Sequence, residues 1–201
     1  MFEAVNCWFS GPPPGKASST ATAGITTDSL VVSLDDVRRI SGVDALQAGP
    51  RSEVRQPRHS NSDAPGPCRA VFDQEATLDD GWTQFRSVTF NGDTYGGVGD
   101  VKIRGVANVI QAVGIYRDDG AARAAFDRLV STLTACSGLH AANYDFTLDQ
   151  TDPSTVAFNS DQWKLIYRVK SSALINVGAL GLPQSEQTAR TIDQTITDRI
   201  K

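Results

Sequence analysis

Soft metal ligands are scarce in this chain, which has two histidines and three cysteines in 201 residues. It contains no Cys-x-x-Cys, no His-Glu-x-x-His and no EF-hand loop, so a zinc, iron or calcium centre has few ligands to draw on, and no metal or cofactor is expected. A Gly-x-Ser-x-Gly elbow is missing too, and His59 lies in a proline-broken loop, which leaves a serine hydrolase without a legible triad. The kinase signatures Val-Ala-Ile-Lys, His-Arg-Asp and Asp-Phe-Gly are absent. Long apolar runs are lacking: the best candidate, "SALINVGALGL", falls short of the ~18 residues that span a bilayer and is broken by glycine. Basic charge is not in excess either. The net charge is -4, with Lys and Arg dispersed among Asp and Glu, so no stripe awaits phosphates and nucleic acid is not an expected partner.

What is present suffices for one core. A 201-residue chain with 40% hydrophobic content can fold around apolar packing without a mesh of disulfides. The stretch from Gly11 to Thr27 is Pro, Gly, Ser, Thr and Ala with little to bury, which reads as a tether. The organisation expected is therefore a leader over 1–27 and a globular domain over 28–201. "MFEAVN" offers neither a basic start nor an apolar h-region, so either the protein is cytosolic or an export signal precedes this start. In the second case Cys7, followed by its flexible tether, fits the lipid-modified cysteine of a bacterial lipoprotein. In the first it is an ordinary thiol.

Local signals then order the domain. "SLDDVRRISG" is a capped helix: Ser33 caps, Asp36 completes a capping box, Leu34, Val37 and Ile40 share a face, and Gly42 ends it. Gln47 to Pro67 reads as a long exposed loop with at most an edge strand. "CRAVFDQEA" reads as a short helix led by Cys68. "GWTQFRSVTFNGD" alternates like a strand and closes on an Asn-Gly turn. "YGGVGDVKIRG" lacks the third glycine and the following helix of a phosphate cradle, and reads as a loop. "VANVIQAVGIYR" is a strand, after which Asp118 or Asp119 caps a helix with Ala122, Phe126, Leu129, Val130 and Leu133 on one stripe. "YDFTL", "STVAFN", "WKLIYRVK" and "ALINVGALGL" follow as strands. A last helix places Ala189, Ile192, Ile196 and Ile200 at helical spacing, suited to pack across the sheet. The class is α+β, a twisted antiparallel sheet flanked by helices.

Cysteine spacing leaves two readings open: a Cys68–Cys136 bond with Cys7 left over, or two buried free thiols. Paired carboxylates for glycoside chemistry cannot be selected from sequence, so an envelope hydrolase stands as a rival to a binding protein, and a structural or partner-binding envelope lipoprotein with no small-molecule site stands as a third reading. Aromatic and guanidinium groups recur on the strands. Trp82, Arg86, Tyr116, Trp163 and Arg168 combine stacking faces with fixed charge and are the candidate ligand residues; an arginine so placed seeks a carboxylate, internal or on a ligand.

The order of "SLDDVRRISG", a Cys after a proline-rich loop, "VIQAVGIYRDDGAARAAFDRLVSTLTAC", a Trp-led strand and "YRVKSSALINVGALGLPQSEQTARTIDQTITDRI" resembles the PknH-like extracellular sensor domains of mycobacteria and related actinobacteria, from about Asp28 to Lys201. The resemblance implies a twisted antiparallel sheet with a cleft for an unidentified small molecule or envelope component, shown outside the membrane on a receptor kinase or as a lipoprotein. It further implies a Cys68–Cys136 disulfide. A second family disulfide is lacking, its positions being taken by Tyr167 and about Leu180 on neighbouring strands, where side-chain contact would substitute. The resulting expectation is a non-catalytic, monomeric sensor domain, with a membrane tether through its N-terminus.

Overall fold

A computed structural model describes residues 25–60, 63–98 and 101–201, without the side chains of 96–103. Cys7 and most of the leader lie outside the described residues. The chain enters through α1 (Thr27–Leu30) and α2 (Leu34–Ser41). Ser33 caps α2 by accepting from the Asp36 N–H, and Gly42 ends it at φ 68°, a left-handed conformation that glycine adopts without steric cost. Next come the edge strand β1 (Gln47–Val54), a 3-10 helix (Gly66–Val71), α3 (Gln74–Leu78), β2 (Trp82–Val98) and β3 (Val101–Tyr116). Asp118 caps α4 (Asp119–Ser137). The remainder is β4 (Thr147–Asp152), β5 (Thr155–Asn159), β6 (Trp163–Lys170), β7 (Ala173–Leu180) and α5 (Ser185–Asp198).

The strands make one antiparallel sheet of seven in the order β1-β2-β3-β7-β6-β5-β4. Period-two alternation gives the sheet two buried faces, and a core lies on each. On the first, Phe85, Ala112, Tyr116, Leu165, Tyr167 and Leu174 pack with the 3-10 helix and with Phe126, Leu129 and Leu133 of α4. On the second, Val88, Val113, Ile166, Ile175 and Val177 pack with Leu30, Val37, Ile192 and Ile196 from α1, α2 and α5. Gln111 is fully buried on β3, and its amide accepts from the Val32 N–H at 2.8 Å and donates to the Val32 carbonyl at 3.0 Å. The linker between α1 and α2 thereby keeps its backbone hydrogen bonds in a dry core.

Several expectations change. Asn91-Gly92 is no turn: β2 runs on, with Asn91 opposite Asn108 and Gly92 opposite Ala107. Gly92 is there because the chain before β1 crosses it, and a Cβ would lie 2.8 Å from the Ala45 carbonyl oxygen. Strand likewise replaces most of the loop expected at "YGGVGDVKIRG". The helix expected at Cys68 is split into a 3-10 helix and α3, since Asp73 interrupts it by capping the second part through Ala76. The strand expected at "YDFTL" begins only at Thr147. Tyr167 and Leu180 do not oppose each other: Tyr167 pairs with Asn176 and Leu180 with Trp163, so no direct contact across the hairpin replaces a missing bond.

Gly181 ends β7 at φ 65° with a Cβ position only 2.0 Å from the Val106 carbonyl oxygen. Backbone cannot yield as a side chain does. Gly181→Ala is expected to lower stability by about 2–3 kcal/mol, read as a lower denaturant midpoint with an unchanged slope.

Candidate functional site

The β5–β6 turn is held by its own side chains. Ser160 Oγ accepts from the Trp163 N–H at 3.0 Å, and the Ser160 carbonyl accepts from Lys164 Nζ at 2.9 Å. Those bonds fix Trp163 at the start of β6, on the first face of the sheet. Phe72 comes from the exit of the 3-10 helix, where its N–H donates to the Arg69 carbonyl and its own carbonyl accepts from Ser60 Oγ at 2.7 Å. That helix is fastened to α4 by the Cys68–Cys136 disulfide. Tyr144 follows Asn143, whose φ of 69° lies in the left-handed region that asparagine tolerates better than most residues.

Rings from these three segments form a curved wall. Phe72 lies 5.7 Å from Trp163 and 6.4 Å from Tyr144 between ring centroids, tilted by 56° and 46°. Phe146 and Phe158, 4.1 Å apart and buried, back it from the core. Phe72 remains 37% exposed, unusual for a phenylalanine beside a core. The wall bounds a cavity of about 720 Å³. Asn143, Asp145, Asn159, Asp161 and Gln162 also line it, and their side chains have no hydrogen-bond partner among the described residues. A second depression of about 710 Å³ lies across the turn, shares Asp161, Gln162 and Lys164, and continues over Leu182, Pro183 and Gln184 to the start of α5.

The five residues singled out in the sequence are not gathered here. Trp163 alone lines the aromatic cleft. Trp82 and Tyr116 pair across β2 and β3 at the other end of the first face. Trp82 packs on Phe85 at 6.1 Å, and the buried Tyr116 hydroxyl donates to the Leu78 carbonyl at 2.5 Å. Burial pushes that phenol's pKa well up, as it does for Tyr167. The arginines face the second core and find partners within the protein. Arg86 meets Glu53 at 3.0 Å and Asp28 at 3.4 Å. Arg168 donates from Nε to Asp193 at 2.8 Å, beneath α5, beside a cavity of about 430 Å³. Sequence reasoning missed Phe72, Tyr144 and the amides. The one available signal was the polar "NSDQ" directly before Trp163.

His59, Asp73 and Glu75 place ligand atoms within 4.8 Å of one another, close enough for a cation. Asp73 is committed, however. It caps α3 through Ala76 and accepts from the Ser60 N–H and His59 Nδ1, the last at 2.8 Å, so the group staples the loop before the 3-10 helix to α3.

The domain has three α+β layers and a polar-rimmed aromatic cleft, and among its described residues no helix is long and apolar enough to cross a membrane. The particular family follows from comparison: residues 22–199 match the PknH-like extracellular domain, and the chain belongs to that family. Membership makes it an extracytoplasmic, sensor-type domain. Among solved structures, it is similar to the extracellular domain of PknH from Mycobacterium tuberculosis, with a TM-score of 0.59 and 17% identity over 86% of this chain and 93% of that one. That likeness speaks for the fold. No curated protein matches the sequence.

Proposed function

We propose that this domain is a non-catalytic, monomeric binding module of the cell envelope, tethered through its leader, and that its ligand sits in the aromatic cleft beside the β5–β6 turn. The observation that carries this reading is an aromatic wall of an exposed Phe72 and the half-buried Tyr144 and Trp163, lined also by polar side chains with no partner among the described residues. Apolar ring surface costs about 25 cal/mol per Å² while it stays wet, and the amides and carboxylates beside it can exchange water for a ligand's polar groups and so fix its orientation. No histidine or cysteine lines the cleft, and its carboxylates, Asp145 and Asp161, stand exposed, so a proton-transfer pair poised by burial is not part of it.

The test is a thermal-shift and amide-shift screen of small molecules and soluble envelope fragments. A ligand present at a hundred times its Kd is expected to stabilise the fold by about 2.7 kcal/mol, which raises Tm by roughly 5–10 °C. It should shift the Trp163 indole resonance, and Trp163→Ala should weaken it at least tenfold. A stabilising ligand that leaves Trp163 untouched would move the site elsewhere. Turnover in an ester, amide and glycoside panel would favour the hydrolase instead.

A further inference from the structure

We infer that the cleft's ligand is a neutral, linear oligosaccharide that crosses the β5–β6 turn and fills both depressions, an inference that rests on the cleft being the binding site. Three observations converge on this class. First, the wall and its rim match a sugar ring's two kinds of surface. The axial C–H face of a pyranose is apolar with a slight positive edge and suits the negative faces of Phe72, Tyr144 and Trp163. Its hydroxyls each donate and accept, and so do the free amides of Asn143, Asn159 and Gln162, while Asp145 and Asp161 offer paired acceptors.

Second, the charges exclude the competing classes. Of the two cations along the depressions, Arg190 is paired with Glu186 at 2.9 Å, and Lys164 gives one of its three donors to the Ser160 carbonyl at 2.9 Å. Asp145 and Asp161 have no partner among the described residues, so the cleft beside the rings sets two carboxylates against the single ammonium of Lys164, and a phosphate, nucleotide or anionic headgroup would meet net like charge and no guanidinium. A quaternary ammonium needs a box of rings around it. Here only three part-exposed rings are present, Phe72 touching Trp163 at 5.7 Å and Tyr144 at 6.4 Å between centroids, and apart from the buried Phe146 and Phe158 the rest of the lining is polar.

Third, the site is longer than one sugar. The depressions, about 720 and 710 Å³, meet at Asp161, Gln162 and Lys164, and the second adds Gln184 and Gln187 beside Leu182 and Pro183. The turn between them is a saddle over which a chain passes from the ring wall to the start of α5.

The experiment titrates the isotope-labelled domain with maltohexaose, cellohexaose, chitohexaose and mannohexaose, and with their disaccharides. Inorganic phosphate, tetramethylammonium chloride and phosphatidylglycerol vesicles serve as the other arms. At least one hexasaccharide is expected to shift the Trp163 indole and the side-chain amides of Gln162 and Gln187 together. It should bind at least tenfold more tightly than its disaccharide, and lose at least tenfold to Trp163→Ala and to the surface change Gln162→Ala, with Arg117→Ala silent. Equal affinity for disaccharide and hexasaccharide would overturn the path across the turn. Shifts at Trp163 from phosphate, tetramethylammonium or vesicles but from no sugar would overturn the saccharide and leave the cleft standing. Sugar-induced shifts confined to residues away from the turn would overturn both, and silence from every sugar overturns the saccharide.

Discussion

Reducing the Cys68–Cys136 bond, or replacing either cysteine by alanine, is expected to lower the melting temperature by roughly 8–16 °C. The crosslink joins residues 68 apart in sequence, and the chain-entropy relation gives about 4 kcal/mol for a loop of that length. For a domain of this size each kcal/mol is worth about 2–4 °C. Cys68→Ala, Cys136→Ala and the double variant should melt together, since all three remove the same bond. Melting curves with and without a thiol reductant check this, and an unchanged curve would mean that the packing of the 3-10 helix on α4 carries the stability by itself. Loss is also expected in the cleft, because Phe72 leaves the crosslinked helix only four residues after Cys68.

Arg168→Met is expected to cost about 3–5 kcal/mol near neutral pH. Its carboxylate partner Asp193 is 1% exposed, and the second oxygen, Oδ1, has no hydrogen-bond partner. Without the guanidinium that charge is buried and alone. The double variant Arg168→Met, Asp193→Leu should recover most of the loss, since two apolar groups of similar volume need no pairing. Burial pushes the Asp193 carboxyl above the usual carboxylate range, against the pull of Arg168. Between the unfolded and the folded pKa, the folded state holds a proton that the unfolded chain has released. The group's contribution to stability is fully present below the unfolded pKa of about 3.9 and is lost as pH rises through the higher folded value. Asp193→Asn should remove that fall, and the cost of Arg168→Met should shrink in acid as the orphaned carboxyl takes up a proton. Glu53 has the opposite slope: its bond to Arg86 holds its pKa down, and the stability it adds is lost as pH falls. Denaturant titrations at several pH values read both signs.

The parts of the fold that were legible are those set by neighbours in sequence. Ser33 and Gly42 bracket α2, and Asp118 opens α4, because a cap needs only the next turn of backbone. The apolar stripe of the last helix, with Ile192 and Ile196, already said which side would be buried. Gly92 misled because glycine serves two purposes, a turn or a close crossing, and only the position of Ala45 tells which. The cysteine pair stayed open on spacing and became definite through resemblance, and the structure shows the bond. The cleft was barely legible. Its rings come from the 3-10 helix exit, the α4–β4 connection and β6, and nothing local announces that Phe72 stays exposed. Conversely, Arg86 and Arg168 looked available for a ligand, but their partners Glu53 and Asp193 are distant in sequence and near in space.

The entry of the chain has a bearing on how the domain is held. Thr27 donates its N–H to Gln84 at 3.4 Å, and Gln84 opposes Ile115, beside the Ala173 end of β7 and the Lys170 end of β6. Trp163 is at the opposite end of β6, seven residues from Lys170 or about 23 Å away, and on the other side of the sheet from Ile25. The described chain therefore enters at the corner of the domain diagonal to its aromatic rings, so that a contact made at the entry leaves the ring-bearing corner uncovered.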